Sequence, residues 1–153
     1  MKPLLVGESN PYGTDPRYAL YPHPERSAGG RLCWIVLGLE PRDYLLRFDR
    51  QNLCAETWSL AEARRTARLA AEGRGPADPI VLLGARVCSA FRVPYAPFTA
   101  DRYALRILDG AEKTLVILPH PSGRCLTWND PTSFERARAV LRAARVLPTE
   151  VAA

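Results

Sequence analysis

Short, wholly apolar segments alternate with helix-like segments along this chain of 153 residues. The run Ile80–Leu83 contains only Ile, Val and Leu, and similar runs lie at Pro3–Val6 and Thr114–Leu118. Continuous apolar runs are typical of parallel strands that are buried on both faces, because a strand with one solvent-exposed face alternates apolar and polar residues. All of them are far shorter than the roughly 18 residues that a membrane span needs.

Helix signals occupy the segments between these strands. Ser59 and Glu62 have the spacing of a capping box, and Gly73 is a natural end for the predicted helix Ser59–Glu72. We also expect helices at Arg31–Gly38 and Ala85–Phe91. The remaining expectations are strands at Tyr44–Phe48 and Arg106–Leu108, a tight turn at Asp109-Gly110, and a last helix from a Thr132/Glu135 capping box to about Val146.

This alternation predicts an α/β fold with three layers, α/β/α, around a central, mainly parallel sheet of four to five strands. At this length we expect one domain that spans residues 1–153. In parallel sheets of this kind, ligands bind beyond the carboxyl ends of the strands. The loops that follow the apolar strands are therefore where chemistry is expected.

The charge balance permits nucleic-acid binding without establishing it. The chain has 21 basic and 16 acidic residues, a net charge of +5, and 19 of the basic residues are arginines. The guanidinium group suits phosphate and base contacts, although arginine usage also follows from a GC-rich genome. The four cysteines have no metal-binding spacing, so we expect free thiols and neither a metal nor a cofactor. The amino-terminal segment is too short for a signal peptide, which predicts a cytoplasmic protein without a membrane partner.

Two of the loops after apolar strands carry residues capable of chemistry. The first reads GESNPYG from Gly7 to Gly13, and the second reads HPSGR from His120 to Arg124. If both strands are parallel and near each other in the sheet, both loops emerge at the same edge of the sheet. The side chains expected around one cleft are then Glu8, Asn10, Tyr12, His120 and Ser122.

These two loops resemble the two motifs of the uracil-DNA glycosylase superfamily. Its first motif follows the first strand in forms such as GQDPY or GEAPG, and its second reads HPS or NPS near the carboxyl terminus. The resemblance covers the chain from Leu4 to about Pro131. It implies a monofunctional, monomeric DNA glycosylase of base excision repair, which hydrolyses the N-glycosidic bond of uracil or a related modified base. The absence of cysteines before Gly7 indicates kinship with the small branches that have no iron–sulfur cluster.

The first motif is one residue longer than most forms in that superfamily. Counting from Gly7 aligns Glu8 with the acidic residue of GEAPG, whereas counting back from Pro11 aligns Asn10 with the Asp or Asn of other forms. Either residue is a candidate to position the attacking water, the carboxylate by charge and the amide by hydrogen bonding. The resemblance gives His120 the role of stabilising the departing base through an imidazole N–H, which is oxyanion-type stabilisation.

The other predicted roles concern the base and the DNA. Asn52 is the candidate reader of the base, because a side-chain amide offers a donor and an acceptor together. Tyr12 is expected against the ring edge, with Trp34 or Phe48 as a stacking face. The candidate contacts to single- or double-stranded DNA are Ser9, Ser122, Gly123, Arg124 and Leu126, the last two as probes of the duplex.

The sequence is also compatible with other functions. The principal alternative is a non-catalytic or altered protein of the same fold, which binds DNA or a modified base without efficient cleavage. An enzyme acting on free nucleotides would need a phosphate-binding glycine loop, and neither common form occurs. A serine hydrolase is also disfavoured, because the chain has no G-x-S-x-G motif.

Overall fold

A computed structural model describes residues 1–10 and 13–149. It contains a five-stranded sheet in the order β2-β1-β3-β5-β4, and all neighbours are parallel except the antiparallel pair β4 and β5. The strands are β1 Leu4–Ser9, β2 Asp49–Cys54, β3 Ile80–Leu83, β4 Thr99–Leu105 and β5 Ala111–Leu118. The α-helices are α1 Ala28–Arg31, α2 Pro41–Arg47, α3 Leu60–Glu72, α4 Ala85–Phe91 and α5 Thr132–Ala143.

Helices cover both faces of the sheet and form two separate cores. On one face, α2, α5 and the π-helical turn Leu32–Val36 pack against alternate strand residues such as Leu5 and Val81. On the other face, α3 and α4 pack against the intervening residues, including Leu4 and Ile80. The fold is therefore the predicted α/β/α arrangement with a mainly parallel sheet. Among the described residues, none of the helices combines the length and apolar character needed to cross a membrane.

The strongest local predictions are confirmed. Ile80–Leu83 is a strand whose side chains are all buried, and α4 follows it directly. Ser59 caps α3 by accepting a hydrogen bond from the Glu62 N–H at 3.4 Å. Asp109 and Gly110 both have positive φ angles, 53° and 90°, as expected for a tight turn that leads into β5.

Two predicted strands are wrong. The segment Tyr44–Phe48 belongs largely to α2, because Pro41 starts a helix there and the four-residue spacing puts Tyr44 and Phe48 on one buried face. Arg106–Leu108 is a short 3-10 turn, since the preceding strand β4 already ends at Leu105.

The helix α5 begins without the predicted capping box. Asp130 instead accepts hydrogen bonds from the N–H of Thr132 at 3.0 Å and from its hydroxyl at 2.9 Å. The helix itself ends at Ala143, three residues before the predicted Val146. The entry turn before α5 carries Trp128, whose indole N–H donates to the His120 carbonyl.

Candidate active site

A cleft of about 920 Å³ lies at the carboxyl ends of the parallel strands. The end of β1, from Glu8 to Asn10, and the loop after β5 both line it, as their positions in the sequence predict. Eight of the predicted site residues line the cleft: Glu8, Ser9, Asn10, Asn52, His120, Ser122, Gly123 and Arg124. The topology therefore joins two loops that lie more than a hundred residues apart, because β1 and β5 both pair with β3.

His120 is held in one tautomer by its own loop. The backbone N–H of Ser122 donates a hydrogen bond to Nδ1 of His120 at 3.2 Å. Since Nδ1 is the acceptor, the proton of the neutral ring lies on Nε2. Burial lowers the pKa of His120 below its ordinary value, the Glu8 carboxylate opposes that shift, and Arg86 adds to it. The ring is therefore a neutral N–H donor at neutral pH.

The backbone around His120 is fixed from three directions. The indole Nε1–H of Trp128 donates to the His120 carbonyl at 2.8 Å, and the Arg31 Nε–H donates to the Pro121 carbonyl at 3.0 Å. Behind the ring, Gly84 has a φ of +101°, and a Cβ there would lie 3.1 Å from the Cβ of His120. A side chain at Gly84 would strain the backbone and displace the histidine.

Glu8 faces the α3–α4 side of the sheet. It alternates with Leu4 and Val6, which pack against those helices. Its carboxylate lies 3.7 Å from Nη1 of Arg86, in the first turn of α4, and its side chain is 23% exposed. Glu8 thus brings a negative charge into the neighbourhood of His120, balanced by one guanidinium.

The two asparagines belong to the neighbouring strands β1 and β2, Asn10 just after β1 and Asn52 within β2. Asn10 is the first residue after β1 and is 9% exposed. Asn52 pairs in register with Gly7, and a Cβ at Gly7 would lie only 2.5 Å from the Asn52 Oδ1. That Oδ1 is buried without a hydrogen-bond partner among the described residues. Glycine at position 7 therefore leaves room for an amide with unused hydrogen-bonding capacity.

Two predicted stacking residues are corrected. Phe48 is 2% exposed and lies in the core beside Tyr44, with ring centroids 5.8 Å apart. Trp34 packs against the same core, and its Nε1 is buried without a partner among the described residues. Neither ring lines the described cleft, so neither offers it an aromatic face. Phe48 follows α2, where a strand was expected, whereas Trp34 lies in a segment that is helical as predicted but packs its ring against the core.

Two further predicted residues have different outcomes. Tyr12 lies outside the described residues. Leu126 is 75% exposed, at the start of a 3-10 turn that follows the second loop. It does not line the described cleft, but it stands two residues beyond Arg124, which does.

One wall of the cleft was missed by sequence reasoning. It comes from the segment between β1 and α1, and we call Tyr18, Tyr21 and His23 the aromatic wall. The rings of Tyr18 and Tyr21 meet edge to face at 5.1 Å, and those of Tyr21 and His23 at 5.9 Å. Arg50 on β2 fixes this segment by donating to the Ala19 carbonyl at 2.7 Å. The only signal in the sequence is the local enrichment in Tyr and Pro.

The described part of the chain contains no cluster of three or more His, Cys, Asp or Glu side chains arranged to hold a metal ion. Comparisons with protein-family models, curated proteins and solved structures found no match for this chain. The relation to the uracil-DNA glycosylase superfamily therefore stays a prediction that rests on the two motifs.

Proposed function

We propose that this chain is a DNA glycosylase similar to the uracil-DNA glycosylases, acting as a cytoplasmic monomer in base excision repair. In this proposal it hydrolyses the N-glycosidic bond of uracil or a related modified base that is flipped out of DNA. Flipping costs a few kcal/mol and is needed because the sugar C1′ is inaccessible within the stack. The reaction consumes water and needs no cofactor.

The observation that carries the proposal is the state of His120. A base that leaves with its bonding electrons gains negative charge on its carbonyl oxygen. The Nε2–H of a neutral imidazole stabilises that charge by a hydrogen bond that strengthens as the bond breaks. The bond from Ser122 to Nδ1 and the lowered pKa of His120 both favour the required tautomer and protonation state.

Water activation is assigned to the end of β1. The carboxylate of Glu8 stabilises the cation-like sugar by charge and accepts a proton from water as the new C1′–O bond forms. Asn10 can only orient that water, because an amide does not take the proton. Both residues line the same cleft as His120, and comparison of Glu8→Gln with Asn10→Ala separates their roles.

Base recognition is assigned to Asn52 and the aromatic wall. Asn52 is assigned to the Watson–Crick edge of uracil because a side-chain amide carries both a donor and an acceptor, and its buried Oδ1 has no partner among the described residues. Tyr18 and Tyr21 replace Trp34 and Phe48 as the aromatic surfaces available to a flipped base. Base–aromatic stacking contributes about 1–3 kcal/mol per base in other proteins.

The contacts to DNA are assigned to the second loop and to residues near it. Ser9, Ser122 and the backbone at Gly123 contact phosphates, which fixes the position of the DNA without reading its sequence. Arg124 and the exposed Leu126 are the residues that enter the duplex at the vacated position.

The alternative is a protein of this fold that binds DNA or a modified base without efficient cleavage. The ion pair between Glu8 and Arg86 favours it, because a carboxylate that a guanidinium engages at 3.7 Å is less available to a water molecule. The two functions differ in a single assay. Purified protein is incubated with single- and double-stranded oligonucleotides that carry uracil, 5-hydroxymethyluracil, a thymine mismatch or hypoxanthine, and alkali then cleaves any abasic site.

Strand breaks on one of these substrates, absent for the His120→Ala variant, support the glycosylase. Intact strands with retained binding support the alternative. If the protein neither cleaves nor binds DNA in a salt-sensitive manner, both functions are excluded.

A further inference from the structure

A second concave surface is bordered almost entirely by arginines. It has a volume of about 440 Å³, and we call it the arginine groove. Its lining consists of Arg64, Arg65, Arg68, Arg92, Arg106 and Ile107. Three of these arginines lie on α3, one follows α4, and one lies in the turn after β4.

The groove extends toward the edge of the sheet opposite the cleft. Leu105, next to Arg106, pairs with Ala111 at the start of β5, whereas His120 follows the end of that strand at Leu118. With a rise of about 3.3 Å per residue, β5 is roughly 23 Å long. A molecule held in the groove therefore occupies a different part of the surface from a base held at His120.

The positive charge of the groove is largely uncompensated within the described chain. Only Arg68 has an acidic partner there, Glu72 at 2.9 Å on the same helix. Arg64, Arg65, Arg92 and Arg106 take part in none of the ion pairs formed by described residues. The Nε of Arg64 is also buried without a hydrogen-bond partner there. Several like charges around one concavity repel one another, so an anion that enters it is stabilised.

The backbone at Arg92 points to a use for its side chain. This residue ends α4 in the left-handed conformation, with a φ of 55°. Glycine or asparagine is the usual residue at such a helix end, because a bulky side chain strains this conformation. An exposed arginine at that position keeps its guanidinium beside the groove despite the strain.

We propose that the arginine groove binds consecutive phosphate groups, carried either by a nucleic-acid strand or by a free polyphosphate. The planar guanidinium fork forms two parallel hydrogen bonds to phosphate oxygens, and several forks around one concavity fit several linked phosphates. Proteins that bind single strands follow the backbone with a positive groove of this kind. The site is independent of the proposed glycosylase function, because none of its residues lines the cleft.

The test uses the full chain and two probes, a fluorescein-labelled oligothymidylate without a modified base, and inorganic tripolyphosphate as competitor. The groove variant is Arg65→Gln/Arg92→Gln, which changes two exposed side chains. The matched control is Arg42→Gln/Arg47→Gln, which removes the same charge from exposed positions on α2, against the other face of the sheet. Circular dichroism checks that both variants are folded.

The groove variant is expected to bind the oligonucleotide at least about tenfold more weakly than the control. The slope of log K against log salt concentration should decrease in magnitude by about 1.4, or about 0.7 for each lost phosphate contact. If only the tripolyphosphate affinity falls by that factor, the groove serves a free polyphosphate. Equal weakening of groove and control variants for both probes, or no change in either, overturns the proposal. Excision activity is not measured here, so the result is separate from that of the glycosylase assay.

Discussion

The backbone N–H of Ser122 donates to Nδ1 of His120, and this contact of 3.2 Å decides which ring nitrogen carries the proton. A neutral histidine that stabilises negative charge must present a ring N–H toward that charge. The turn of the HPSG loop supplies that condition from the backbone alone. Replacing Ser122 therefore leaves the donor in place, whereas any change in the path of the loop removes it.

The pH dependence of stability should report the titration of His120. Its pKa lies below the ordinary 6.5 because of burial, so the ring is neutral at pH 7 in the folded protein. Between pH 6.5 and the lower pKa of the folded state, the unfolded chain binds the proton more readily than the folded protein does. The free energy of unfolding therefore decreases as the pH falls through this range. We expect the ¹⁵N spectrum at pH 7 to show a protonated Nε2. A ring protonated on Nδ1 would contradict the assignment.

The two charges beside His120 shift its pKa in opposite directions. Removing the Glu8 carboxylate in Glu8→Gln takes away the raising influence, so the pKa of His120 falls further. Removing the guanidinium in Arg86→Gln takes away a lowering influence, so the pKa rises. Titration of the imidazole C2–H by NMR measures both shifts, with His120 assigned through a His23→Gln variant. Shifts of the same sign in both variants would refute this description of the site.

Substitution of Asn52 is expected to reduce excision activity while leaving the free energy of unfolding nearly unchanged. Its Oδ1 has no partner among the described residues, so Asn52→Ala should change the free energy of unfolding by no more than about 0.5 kcal/mol. The same variant should lose at least about tenfold in single-turnover excision, because the hydrogen bonds to the base are gone. Gln51→Ala on the same strand is the control and should keep full activity. Equal activity of the two variants would exclude Asn52 as the base reader.

Gly84 is expected to be essential for the position of His120. Its φ of +101° and the 3.1 Å approach of a Cβ to the histidine predict that Gly84→Ala costs about 1–3 kcal/mol in urea unfolding. Activity should fall in the variant even where it is fully folded. The control is Gly73→Ala at the end of α3, where a Cβ would meet no atom closer than 3.7 Å. If Gly84→Ala matches this control in both measurements, the close approach has no functional meaning.

Much of the fold was predictable because its signals are local. The run Ile80–Leu83 must be buried on both faces, and the Ser59 cap fixes where α3 begins. The error at Tyr44–Phe48 has the same origin, since a short apolar segment fits a strand or a helix equally well. The Tyr44 hydroxyl donates to the Leu20 carbonyl at 2.7 Å, a contact between residues 24 positions apart that the sequence does not reveal.

The site was predictable only where it follows strands. Glu8 near the end of β1 and His120 after β5 line one cleft because parallel strands end at the same edge of a sheet, and this placement needs no knowledge of side-chain contacts. The aromatic wall was missed because residues 18–29 show no periodicity. Their position depends on distant hydrogen bonds such as that from Arg50 to Ala19, which the sequence does not reveal.

The most direct test of the proposed function is the single-turnover rate of base excision by His120→Ala on the best substrate of the wild-type protein. Losing one donor to the developing negative charge should slow excision by about 100- to 1000-fold. DNA binding should stay within about twofold, since a neutral donor adds no phosphate contact. An excision rate within twofold of the wild-type rate, for a folded His120→Ala variant, would contradict the role of His120 and with it the proposed mechanism.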